Sequence, residues 1–211
     1  MKKTFVVTAR LTMIALAAIT YSHMASAQSS PSSSVTAQQT DFLAQQGLAG
    51  KSAEQMVDAI DQSPQTRPLP YSASVTHTEL ILSDGQQKFV YPLGDRFYLS
   101  FAPYINQTHP CFNHSLSGCR GELANTPFEV KITDNSGKVI MHQQVTSYQN
   151  GFIGVWLPRN IEGTLEVSYQ GLTAVSPFAT GAESQTCLTT LQLQNKRREW
   201  PEIITNQANN P

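Results

Sequence analysis

Residues 128–145 read FEVKITDNSGKVIMHQQV, and their pattern decides the class of fold. Phe128, Val130 and Ile132 alternate with Glu129, Lys131 and Thr133, the period of a strand with one face buried and one in water. Asn135-Ser136-Gly137 supplies turn chemistry, and the chain returns over Lys138 to Val145 as the second arm of a hairpin. The same grammar runs outward in both directions. Downstream, Asn150-Gly151 turns the chain into Phe152 to Leu157, which is apolar on both faces and is expected at the centre of a sheet. Leu165, Val167 and Tyr169 alternate before a turn at Gly171, and Leu172 to Phe178 and Cys187 to Leu193 follow as strands. Upstream, Val75 to Ser83 reads as one strand, Asp84-Gly85 turns it into Lys88 to Leu93, and Phe97 to Phe101 is extended and aromatic. About eight short strands at regular spacing predict a mainly β fold, an antiparallel β-sandwich-like domain over residues 71–193.

Residues 41–70 carry a different period and predict a small N-terminal helical hairpin. Its first helix runs from Asp41 to Gln46 and is stopped by Gly47 and Gly50. Ser52 caps the second, with Gln55 three residues on as the reciprocal partner of a capping box. Met56, Val57 and Ile60 share one face, and Ser63-Pro64 ends the helix. So small a unit cannot bury that face alone, so it packs on the rest of the chain or on a second copy. Residues 28–40, QSSPSSSVTAQQT, have no apolar rhythm and read as a disordered leader.

Lys2, Lys3 and Arg10 precede or flank an apolar stretch from Leu11 to Tyr21, and Ala25-Ser26-Ala27 offers small residues for cleavage. That order predicts a signal peptide over residues 1–27, cleaved after Ala27, and export to the periplasm. The whole chain has 14 basic and 15 acidic residues. Loss of Lys2, Lys3 and Arg10 leaves 11 against 15, a net charge of −4. An acidic mature chain has no broad electrostatic reason to hold nucleic acid or an anionic membrane. Residues 194–211 form a polar tail in which Lys196-Arg197-Arg198 is a solvated patch. Hydrolase elbows, nucleotide-binding glycine loops and zinc-protease helices are all missing from the sequence, so hydrolase chemistry has no support.

The stretch from Tyr104 to Thr126 lacks sustained alternation, and a loop of that length is usually functional or crosslinked. It holds His109-Pro110-Cys111-Phe112-Asn113-His114 and then Cys119, whereas Cys187 comes much later. Three cysteines in an oxidising compartment cannot all pair within one chain. Two readings stay open on the residues alone. In one, Cys111 and Cys119 form a disulfide and Cys187 is a small buried residue. In the other, Cys111, Cys119 and Cys187 with His109 and His114 form a metal site, soft donors that suit Cu(I) or zinc better than calcium or magnesium. Because a thiol pair can reduce Cu(II) while becoming a disulfide, the two can be states of one device. His77 and His142 sit in predicted strands as structural or solvated residues. Met56, Met141 and Trp156 read as packing residues.

The strings FYLSFAPYINQTHPCFNHSLSGCRGEL, NGFIGVWLPRNIEGTLEVSYQG and SQTCLTTLQL resemble the CueP family of periplasmic copper-binding proteins. The likeness runs from about Leu48 to Leu193. It implies copper binding under copper stress, association with reduction of Cu(II) to Cu(I), and supply of copper to a periplasmic Cu,Zn superoxide dismutase as client. It further implies a helical part used in homodimerisation ahead of a β domain, with Cys111, Cys119, Cys187, His109 and His114 matching the family's cysteines and neighbouring histidines. Two alternatives compete with this reading. A blue-copper electron carrier wants one cysteine, two histidines and usually a weak axial methionine, and no methionine follows His114 in the loop. A thiol–disulfide or interaction module without metal would keep a permanently oxidised Cys111–Cys119 pair.

Overall fold

The structure is a computed structural model that describes residues 31–195, with side chains from residue 37 onward. Two helices, α1 (Pro31–Gln45) and α2 (Ala53–Asp61), precede the strands. These are β1 (Ser72–Val75), β2 (Glu79–Ser83), β3 (Lys88–Pro92), β4 (Arg96–Phe101), β5 (His114–Ser115) and β6 (Pro127–Asp134). They continue as β7 (Val139–Thr146), β8 (Ile153–Pro158), β9 (Glu162–Tyr169), β10 (Leu172–Ala179), β11 (Cys187–Leu188) and β12 (Gln194–Asn195).

The hairpin that decided the fold forms as β6 and β7, paired from Pro127 opposite Thr146 to Thr133 opposite Val139. Its strand β6 lies inside a five-stranded antiparallel sheet ordered β12-β10-β9-β6-β7. A three-stranded sheet, β11-β4-β8, shares a core with it. Phe97, Leu99 and Phe101 of β4 and Ile153, Val155 and Leu157 of β8 meet Phe128, Val130, Ile132, Leu165 and Val167 there. The domain is therefore mainly β and sandwich-like, with helices ahead of it.

A second core holds the N-terminal part. Sheet β3-β2-β1-β5 contributes Val75, Leu80, Leu82 and Phe89, and the helices contribute Phe42, Leu48, Met56, Val57 and Ile60. The apolar face of the helical pair is thus buried within its own chain. Ser52 and Gln55 make the capping box read from the sequence. Past the end of α1, Leu48 N–H bonds the Leu43 carbonyl at 2.7 Å and Gly47 N–H bonds the Ala44 carbonyl at 3.1 Å. This terminating pair needs a left-handed residue, and Gly47 sits at φ +67°.

Several expectations are corrected. The helix α1, Pro31–Gln45, runs through much of the stretch read as a disordered leader. Tertiary contacts hold what composition would not: Phe42 packs on Tyr71 and Phe89, and the Gln39 amide donates to Tyr91 Oη at 2.8 Å. Val75 to Ser83 is not one strand but the hairpin β1–β2. Its turn contains neither Gly nor Pro; Thr76 Oγ1 accepts from Thr78 N–H and Glu79 N–H instead. Phe152 to Leu157 lies at a sheet edge as β8, because β4, with every residue from Phe97 to Phe101 buried, takes the centre. Cys187 to Leu193 shrinks to the two residues of β11, which run parallel to β4 as an exception to the antiparallel rule. The β domain continues past residue 193, since β12 pairs with Leu172 and Thr173. The expected signal peptide and the basic patch at residues 196–198 lie outside the described residues.

Candidate metal centre

Four side chains predicted as donors converge. The ligand atoms of Cys111, His114, Cys119 and Cys187 all lie within 4.8 Å of one another. Each arrives from a different local structure. His114 opens β5 and pairs with Val75 of β1. Cys119 closes the turn after it, its N–H bonded to the Ser115 carbonyl at 2.9 Å. Cys187 opens β11, on the other core's sheet, opposite Ser100. The Phe112 carbonyl accepts from both Thr186 and Cys187 N–H, which ties the Cys111 loop to that strand. Thr186 Oγ1 also accepts from His114 N–H at 2.9 Å while donating to the Val75 carbonyl at 2.7 Å.

Cys111 and Cys187 form a disulfide across 76 residues, and Cys119 is a buried free thiol. The Cys111–Cys119 pairing considered above is therefore not the one present. Cys119 Sγ lies 3.7 Å from Cys111 Sγ, and Cys187 Sγ lies 3.8 Å from His114 Nδ1. All three sulfurs and one imidazole nitrogen share a pocket bounded by Phe152, whose ring centroid is 4.6 Å from that of His114.

His109 is not brought into this group. It is half-buried, 6.1 Å from Phe152 between ring centroids, and lines an open cavity of about 290 Å³ with Thr108, Arg120 and Glu122. His77 falls in the β1–β2 turn. His142 is exposed on β7 and pairs with Glu129 at 2.8 Å. Met56 and Met141 pack in the two cores, as expected, and Trp156 is half-buried with its indole N–H on Asp58.

Sequence reasoning missed a buried polar network behind His114. Asp61, at the last position of α2, is fully buried and meets His114 Nε2 at 3.0 Å. Tyr98 Oη donates to its other oxygen at 2.6 Å, and Asn150 Nδ2 donates at 2.7 Å. Burial alone would lower the His114 pKa, but the charge and hydrogen bond of Asp61 outweigh it and hold it up at about 9. Burial likewise opposes ionisation of Asp61, yet the imidazolium and the converging donors bring its carboxyl below the ordinary range. A signal was available: Asp61 follows Val57 by four residues, so it continues the buried stripe of α2.

The donor set can be tested for the ion it fits. Three sulfurs and one imidazole are soft to borderline donors, matched to Cu(I) or zinc and poor for calcium or magnesium. Among the described residues, the one buried carboxylate, Asp61, bonds to the far side of the imidazole, the usual outer-sphere partner of a metal-bound histidine. In the disulfide form only Cys119 is a free thiol, so full use of the sulfurs requires reduction of Cys111–Cys187.

Fold and site together define a class: a β-sandwich-like protein with a buried soft-metal centre at the seam of two cores. The profile of the family described as "Periplasmic copper-binding protein CueP" matches residues 55–192, more than half the chain. The crystal structure of S.CueP is similar at 67% sequence identity and a TM-score of 0.73, covering 74% of this chain and 97% of that one. No curated protein matches. The chain belongs to the CueP family of periplasmic copper-binding proteins.

Proposed function

We propose that this chain captures copper as Cu(I) through Cys111, Cys119 and Cys187 with His114, and so serves copper tolerance in the periplasm. The convergence of those four donors within 4.8 Å carries the reading. Cu(I) accepts low coordination numbers, so two or three sulfurs with the imidazole suffice, and zinc is the competing ion the same donors would accept. His109 lies outside the converged group and is not needed as a ligand in this reading.

Reduction of copper belongs to the same proposal. Cys111 and Cys187 as thiols each release one proton and one electron, the two sulfurs join, and two Cu(II) become two Cu(I). A Cys111–Cys187 disulfide is what such a step would leave, and a thiol reductant must restore the dithiol before a second round. Supply of Cu(I) to a periplasmic Cu,Zn superoxide dismutase, export by cleavage after Ala27, and homodimerisation through the helical element complete the proposal. Since the apolar face of α2 is used within the chain, a dimer would have to form on the outward faces of the helices.

A competing metal-free role as a thiol–disulfide module makes the opposite prediction in one titration. The reduced protein, kept anaerobic, is set against a Cu(I) chelator beside Cys111→Ser, Cys119→Ser and Cys187→Ser. Affinity should fall at least tenfold in two or more of these variants, as loss of a direct ligand requires. Wild-type protein that takes no Cu(I) from a moderate chelator would end the copper reading. The blue-copper alternative is disfavoured, because the converged group contains one histidine rather than two.

A further inference from the structure

We infer that Asp61 is a positioning residue for copper: it holds His114 so that Nδ1, not Nε2, faces the sulfurs. The inference rests on the proposed copper site and adds a residue from the helical element to it.

Phe152 N–H donates to Asn150 Oδ1 at 2.9 Å, which fixes the amide so that its NH₂ end faces Asp61. An NH₂ group only donates, so Asp61 Oδ1 is an acceptor. On the other oxygen, Tyr98 Oη donates at 2.6 Å. That hydroxyl has room only because residue 154 is glycine; a Cβ there would stand 1.8 Å from it. Arg67 Nη2 donates to the Asp61 main-chain carbonyl at 3.2 Å, anchoring the backbone beneath. The carboxylate is therefore gripped at both oxygens and cannot turn.

His114 meets this fixed acceptor through Nε2 at 3.0 Å, so Nε2 carries a hydrogen. The opposite nitrogen, Nδ1, then lies 3.8 Å from Cys187 Sγ and is the one left for the ion. The ring has little freedom to choose otherwise, with its main-chain N–H on Thr186 and its face against Phe152. Outer-sphere partners of this kind set the tautomer and orientation of a metal-bound histidine, and their loss typically costs 10- to 100-fold in affinity. An amide at position 61 can donate where the carboxylate accepts, and would favour the wrong tautomer.

The test uses the full mature protein, reduced and anaerobic, with chelator-buffered Cu(I) as probe. Asp61→Asn should weaken Cu(I) binding by about 10- to 100-fold when His114 is present. In a His114→Ala background the same substitution should change affinity by less than about twofold, since Asp61 acts through the imidazole. Equal weakening in both backgrounds would show a merely structural role and overturn the inference, as would no weakening in either. A measurement without any variant at position 61 guards against misfolding. Imidazole ¹⁵N shifts of the wild-type protein should show Nε2 protonated throughout and Nδ1 moving when Cu(I) is added. Movement of Nε2 instead would overturn it. If wild-type protein binds no Cu(I) at all, the copper reading itself has failed; if it binds through the cysteines but ignores Asp61, only this inference has.

Discussion

Asp61 and His114 are each fully buried, and as an isolated charge either would be costly. Held 3.0 Å apart, they stabilise each other's charged form, and this makes stability depend on pH. The direction follows from the shifts. The His114 pKa is raised in the folded protein, from 6.5 to about 9, so its contribution is whole below pH 6.5 and fades as pH climbs toward 9. The Asp61 pKa is lowered, so its contribution is present above the ordinary carboxylate range and disappears only in stronger acid. Metal-free, disulfide-intact protein should therefore lose roughly 1–3 kcal/mol of unfolding free energy between pH 6.5 and 9. Tyr98 does not confuse that window, since burial and Asp61 push its pKa well above 10. Denaturant melts at the two pH values measure the loss, and His114→Gln should flatten it. A wild-type profile as flat as that of the variant would mean that the pair is not ionised.

At the scale of elements, α2 is joined to the site by Arg67 as well as by the Asp61–His114 pair. Arg67 is buried and sends every one of its hydrogen bonds in this network to a carbonyl: Ile60 and Asp61 at the end of α2, Ser63 and Gln65 after it, and Leu116 beside His114. The planar fork meets the open carbonyls of a helix end, where positive charge is favoured. A lysine keeps the charge but cannot span those acceptors. Arg67→Lys should lower stability by about 2–3 kcal/mol in urea unfolding, through buried carbonyls left without donors. A variant as stable as wild type would show that water or rearrangement replaces the fork. Nothing in the sequence around Arg67 announces this role, because its partners are main-chain atoms up to 49 residues away. What the sequence did show was local. The capping box at Ser52, the stop at Gly47 and the β6–β7 hairpin each depend on residues within a few positions. The β1–β2 turn escaped because a threonine hydroxyl does the work of a glycine. The disulfide partner escaped because Cys187 reaches Cys111 only through a parallel pairing with β4, which no alternation records. Of the two histidines read as candidates, only His114 converges with the sulfurs: two residues from Cys111 in sequence is no guarantee of a shared side in an irregular loop.

In the whole molecule, the centre sits where two cores meet. His114 belongs to the sheet packed under the helices, Cys187 to the sheet of the sandwich, and Asp61 to a helix. A metal held by both Cys187 and His114 therefore joins the two halves, while Asp61 braces His114 from its own side. The disulfide closes a span of 76 residues, and in the chain-entropy account its reduction should cost about 4 kcal/mol. Cu(I) bound by the released sulfurs replaces one crosslink with another, and a ligand held at 100 times its dissociation constant returns about 3 kcal/mol. Three forms should therefore rank in guanidinium unfolding: the oxidised protein highest, the reduced metal-free protein lowest, and the reduced protein with one equivalent of Cu(I) between them or level with the first. Adding Cu(I) to the oxidised form should move its midpoint far less, because two of three sulfurs are already engaged. Should reduction leave the midpoint unchanged, the Cys111–Cys187 bond does not join the halves in solution. Should Cu(I) stabilise both redox forms equally, the sulfurs of that bond are not its ligands, and the ion is held elsewhere on the molecule.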